Sequence, residues 1–148
     1  MLRAVADTNV FVSAVLTPGG TCDQLVTALL ALRWQLVASP LLLDELTRVL
    51  LRPRLVGQID RRGATPAVLV EARLVAQLAD LAELIDDPEV RPAVTRDPDD
   101  DYLVALAEAA GVDALVAGDK DLLAAHPPTV PVVTPRAFLD LLTATAPS

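Results

Sequence analysis

Short, densely apolar runs alternate along this chain with longer stretches in which apolar residues return every three or four positions. The short runs cover residues 2–6, 34–38, 113–117 and 130–133. None shows the in-out alternation of a half-exposed strand, which predicts strands buried on both faces and paired in parallel. Residues 10–16 continue the first apolar run beyond Asp7-Thr8-Asn9, and the segment up to the Pro18-Gly19-Gly20 break reads as a buried first strand and a turn.

The longer stretches predict helices. Thr21 and Gln24 have the spacing of a capping box ahead of a helix to about Leu32. Ser39-Pro40 opens a second helix that Pro53 ends, and Thr65-Pro66 repeats the device for a longer one reaching about Ile85. Residues 86–96 read as an extended connection with room for a short strand. Asp97-Pro98 starts a helix that Gly111 stops, and Thr134-Pro135 caps a C-terminal helix to about Leu142. Strands alternating with helices over 148 residues predict a single domain spanning 1–148: an α/β, three-layer α/β/α sandwich with a mainly parallel sheet of four or five strands.

Composition narrows the chemistry. The chain is 53% hydrophobic but only 3% aromatic, so aliphatic residues fill the core and base stacking on an aromatic platform is disfavoured. Cys22, the only cysteine, excludes an internal disulfide and reads as a core filler on the apolar side of its helix; His126, the only histidine, reads as a solvated loop residue before Pro127-Pro128. Histidine triads and zinc sites are thereby left almost without material. No apolar run reaches the ~18 residues of a membrane span, so a cytoplasmic protein without membrane contact is expected. A net charge of -8 argues against a general nucleic-acid coat, though not against a nuclease whose metals carry the positive charge.

Carboxylates stand where apolar segments end: Asp7 after residues 2–6, Glu45 within residues 39–51, Asp100 at the start of a helical stretch, and Asp119 after residues 114–117. Each has an ordinary explanation as turn residue, helix cap or dipole partner. Together they carry more weight, because an isolated buried carboxylate is costly unless a cation compensates it. In an open parallel sheet the strand ends and following helix starts share one edge, where such sheets bind ligands. Helix phase puts Glu45 at the border of the face defined by Leu42, Leu46, Val49 and Leu50, with Asp44 pointing away. It puts Asp100 beside the face of Leu103, Leu106, Ala107 and Ala110, with Asp101 toward solvent alongside Ala105 and Glu108. Hard oxygen donors without histidine or cysteine select Mg²⁺ or Mn²⁺, ions that act on phosphates.

The segments Val5-Ala6-Asp7-Thr8-Asn9-Val10, Ser39-Pro40 through Glu45, Arg96-Asp97-Pro98-Asp99-Asp100-Asp101 and Val116-Ala117-Gly118-Asp119-Lys120-Asp121-Leu122 together resemble the motifs of PIN-domain ribonucleases, most of all VapC-type toxins of prokaryotic toxin-antitoxin pairs. The resemblance runs from Asp7 to Asp121 in the family's order. It implies that Asp7, Glu45, Asp100 and Asp119 hold Mg²⁺ or Mn²⁺ and position a water for RNA cleavage, with Asn9 supporting Asp7 and Asp97, Asp101 and Asp121 nearby. It also implies a cognate antitoxin and a homodimer. One departure stands out: Ala117 and Gly118 occupy a stretch where a hydroxyl residue is common.

Two other readings compete. A catalytically idle PIN-fold binding module would keep the fold as an interaction surface. An aspartyl-phosphate phosphatase or receiver-like protein would use Asp7 and Lys120, but the phosphatase pattern wants an acid where Asn9 stands, and a receiver wants paired acids that are lacking near Asp7. Finally, Arg48, Arg52, Arg54, Arg61 and Arg62 concentrate five of 12 basic residues after Glu45. They are expected either to pair with nearby acids or to guide a phosphate backbone.

Overall fold

The apolar runs form the strands of a sheet in the computed structural model, which describes residues 1–63, 65–89, 101–118 and 130–145. β1 (Arg3–Ala6), β2 (Gln35–Ala38) and β4 (Ala114–Val116) are buried almost throughout. β3 (Glu83–Leu84) and β5 (Val132–Val133) are two-residue edges. All pair in parallel in the order β3-β2-β1-β4-β5. Ala4, Val5 and Ala6 of β1 lie opposite Ala114, Leu115 and Val116 of β4, and Ala4 lies opposite Leu36 of β2. Small alanines alternating with branched side chains let helices pack on both sides of this centre.

The helices among the described residues are α1 (Thr8–Leu16), α2 (Thr21–Leu30), α3 (Pro40–Leu50), α4 (Pro53–Arg62), α5 (Ala67–Leu81), α6 (Asp101–Ala110) and α7 (Pro135–Thr145). From β1 to β3 the chain steps one way across the sheet, and from β3 to β5 it steps back. Right-handed crossovers then put the connecting helices on opposite faces. α6 packs on β1, β2 and β4, whereas α7 lies against α2 and β4. The result is the α/β/α sandwich that the alternation predicts, with every pairing parallel.

Four local expectations need correcting. Residues 10–16 are not part of a strand: Thr8 to Leu16 is helical, and its buried residues Val10, Phe11 and Ala14 follow helical spacing. Thr21 is the first residue of α2 rather than its cap. Gly20 takes the cap position, and Gln24 Nε2 donates instead to the Gly19 carbonyl at 3.2 Å. At α5 the N-cap is Pro66, and the first free N–H, that of Ala67, is satisfied by Asp60 Oδ1 at 2.8 Å from the preceding helix. α5 also stops at Leu81 so that Glu83 and Leu84 can pair with β2. By contrast Ser39 Oγ accepts from Leu42 N–H and Thr134 Oγ1 from Ala137 N–H, as expected of those caps.

Candidate functional site

The reversal of strand order falls between β1 and β4. Connections leave a parallel sheet in opposite directions at such a point and open a crevice beyond the strands' carboxyl ends. Asp7 stands there. Its backbone N–H donates to Val116 O at 2.9 Å, tying the end of β1 to the end of β4. Its side chain caps α1: Oδ1 accepts from the Asn9 N–H and the Thr8 hydroxyl, both at 3.3 Å. Asp7 is 4% exposed, so the carboxylate is held in one place by backbone and neighbours. Asn9 supports it through its backbone, while its side chain faces solvent.

Glu45 reaches the region from α3, which starts directly after β2 and packs against α1. Asp44 is exposed and Glu45 half-buried, as the helix phase predicts. Two arginines engage it: Arg48 one turn on at 2.9 Å and Arg52 at 3.9 Å, with the Glu45 side chain 30% exposed. Pairs this accessible contribute little stability, roughly 1 kcal/mol or less.

Asp101 opens α6, and because α6 returns the chain to the start of β4, that first residue lies at the same carboxyl edge as Asp7. The expectation that it points to solvent with Ala105 and Glu108 is overturned: Asp101 is 6% and Ala105 4% exposed. Residues 101 to 107 are buried without interruption, so two turns of α6 have no wet side for a phase argument to find. Asp100, Asp119, Asp97, Asp121 and His126 lie outside the described residues. In sequence Asp100 directly precedes α6 and Asp119 follows the end of β4 by three residues.

One acid at this edge escaped the sequence reading. Asp87 Oδ2 accepts from Leu41 N–H at 3.0 Å at the start of α3, while Oδ1 is buried without a hydrogen-bond partner. Its place beside a helix N-terminus accounts for part of that burial, and only the register of β3 on β2 brings it there.

Hard carboxylate oxygens at a strand-end crevice suit a Mg²⁺ or Mn²⁺ ion rather than a thiol- or imidazole-seeking metal. Among the described residues no three His, Cys, Asp or Glu side chains assemble a complete ligand group. Two of the four sequence-derived ligands, Asp7 and Glu45, are described. Cys22, on α2, is half-buried, and burial pushes its thiol up, opposed by a hydrogen bond with Ser13.

The family model described as PIN domain matches residues 3–121. The crystal structure of PAE2754 from Pyrobaculum aerophilum is similar in fold, with a TM-score of 0.61 over 98% of this chain and 91% of that one, at 18% identity. No curated protein matches the sequence.

Proposed function

Since the chain belongs to the PIN domain family, whose members are in general nucleases that use divalent metals, we propose that it is a metal-dependent endoribonuclease hydrolysing RNA phosphodiester bonds. The observation that carries this reading is Asp7, a buried carboxylate capping α1 and tied to β4 at the sheet's switch point. Asp7, Glu45, Asp100 and Asp119 would hold Mg²⁺ or Mn²⁺, which supplies Lewis acidity toward a phosphate and an acidified water. The protein's own part is positional. The α1 cap fixes the Asp7 carboxylate, and Glu45 must exchange its exposed arginine partners to face the ion, a rearrangement that weak pairs permit.

Incubation of purified protein with mixed RNAs in Mn²⁺, Mg²⁺ or EDTA, beside Asp7→Asn, tests this. Cleavage is expected only with metal and only in wild type; metal-independent cutting, or a fully active Asp7→Asn, overturns it. An idle PIN-fold binding module, which keeps the fold as an interaction surface, would leave RNA uncut in every metal. The family resemblance further suggests a toxin restrained by a cognate antitoxin, a homodimer and a cytoplasmic setting; among the described residues no helix is long and apolar enough to cross a membrane. Co-expression with the neighbouring gene product should give a complex that relieves growth arrest.

A further inference from the structure

The arginines after Glu45 divide into two groups. Arg48 and Arg52 pair with Glu45. Among the described residues no carboxylate pairs with Arg54, Arg61 or Arg62, and all three are exposed. They share one helix, α4, whose buried residues are Leu55 and Ile59. At about 100° per residue Arg61, Arg54, Gln58 and Arg62 occupy a single arc of about 100° next to that apolar stripe. Asp60, the only acid of α4, lies about 100° outside the arc, with Oδ1 committed to Ala67 N–H.

Two ordinary explanations account for only part of this. Basic residues in a last turn complement the helix dipole, which suits Arg61 and Arg62. Arg54, however, sits in the first turn, where the same dipole opposes it, and a dipole gives no reason for one shared arc. Ion pairing, the other explanation, ends at Arg52. A chain of net charge -8 thus carries arginines from the Arg48–Glu45 pair through Arg52, the N-cap of α4, and then along about 10 Å of α4 itself.

We propose that the exposed arginine arc of α4 is a landing surface for the phosphate backbone of single-stranded RNA, leading it toward the carboxylates through Arg52 and Arg48. This rests on the nuclease reading above. The arc supplies charge without aromatic side chains, so it grips backbone and leaves sequence unread.

Binding measured in EDTA, where metal-dependent cutting is silent, separates the two. A labelled single-stranded RNA is titrated by fluorescence anisotropy at several salt concentrations against wild type, Arg54→Gln/Arg61→Gln, and Arg33→Gln/Arg136→Gln, which removes equal charge elsewhere. The α4 pair should weaken binding roughly tenfold at low salt and flatten the slope of log K against log salt by about 1.4, from about 0.7 per lost contact. The control pair should leave the slope unchanged. Equal losses in both variants, or no loss in either, overturn the proposal, as does poly-glutamate binding through the same two arginines more tightly than RNA, which would mark a protein-docking face. Metal-dependent cleavage with an unchanged slope defeats this inference alone. A flattened slope without metal-dependent cleavage upholds it and defeats the nuclease reading.

Discussion

Gly111 closes α6 with φ +61°, a left-handed conformation in which a Cβ is strained by roughly 1–2 kcal/mol. Gly118, after β4, has no positive φ and, among the described residues, nothing within 4 Å of where a Cβ would stand. Alanine should therefore act in opposite directions. Gly111→Ala is expected to lower Tm by several degrees, and Gly118→Ala to raise it slightly by restricting the unfolded chain, about 0.4–1 kcal/mol. Calorimetry of the two variants checks both signs. Cys22 offers a second residue-level check: because burial favours its neutral thiol, alkylation by iodoacetamide should lag a free thiol at pH 8 and catch up only as pH rises above the ordinary thiol value. Prompt reaction at pH 8 would show the α1–α2 contact to be open.

At the scale of elements, what the sequence reveals depends on whether an element has a wet side. α3 does, and its phase correctly separates Glu45 from Asp44. α6 does not over residues 101 to 107, so the choice between Asp100 and Asp101 as metal ligand is a proposal that phase cannot decide. Paired variants can decide it. Asp100→Asn is expected to abolish cleavage with the fold intact, while Asp101→Asn, which removes an acid from the first turn, should cost roughly 0.3–1 kcal/mol and leave cutting near normal. A dead Asp101→Asn beside an active Asp100→Asn would reverse the assignment. α1 was hidden for a related reason, since a short apolar run fits a buried strand as well as a helix. α4 was hidden because Pro53 reads as a stop although proline equally begins a helix, as it does here. Across elements, Trp34 links α2 and α7: Nε1 donates to Leu25 O at 2.9 Å and the ring meets Phe138 edge-on at 5.3 Å. Trp34→Phe would delete that hydrogen bond, leaving the carbonyl only its partner within α2, and should cost about 0.5–1.5 kcal/mol by urea unfolding.

For the whole molecule, parallel pairing was legible because doubly buried strands advertise themselves, whereas the convergence of loop ends on one edge follows only from strand order. Asp7 ends β1 at that edge, Asp101 starts the helix that leads into β4, and Asp87 meets the start of α3, so acids from distant parts of the sequence border the strand ends. A cation bound there should therefore act on the stability of the entire fold. An ion that binds only the folded state adds RT ln(1 + [L]/Kd), about 2.7 kcal/mol at a hundredfold excess over Kd, which for a domain of this length raises Tm by roughly 5–10 °C. Asp7→Asn is a clean control, because asparagine caps a helix as well as aspartate and keeps an acceptor for the Asn9 N–H while losing the charge. The variant should match or exceed wild-type Tm in EDTA, since asparagine removes a buried charge without giving up the cap. It should also lose the shift produced by Mn²⁺. A shift that persists in Asp7→Asn would move the ion away from the switch point. No shift in wild type at millimolar Mn²⁺ would remove the metal from this edge, and the proposed hydrolysis with it.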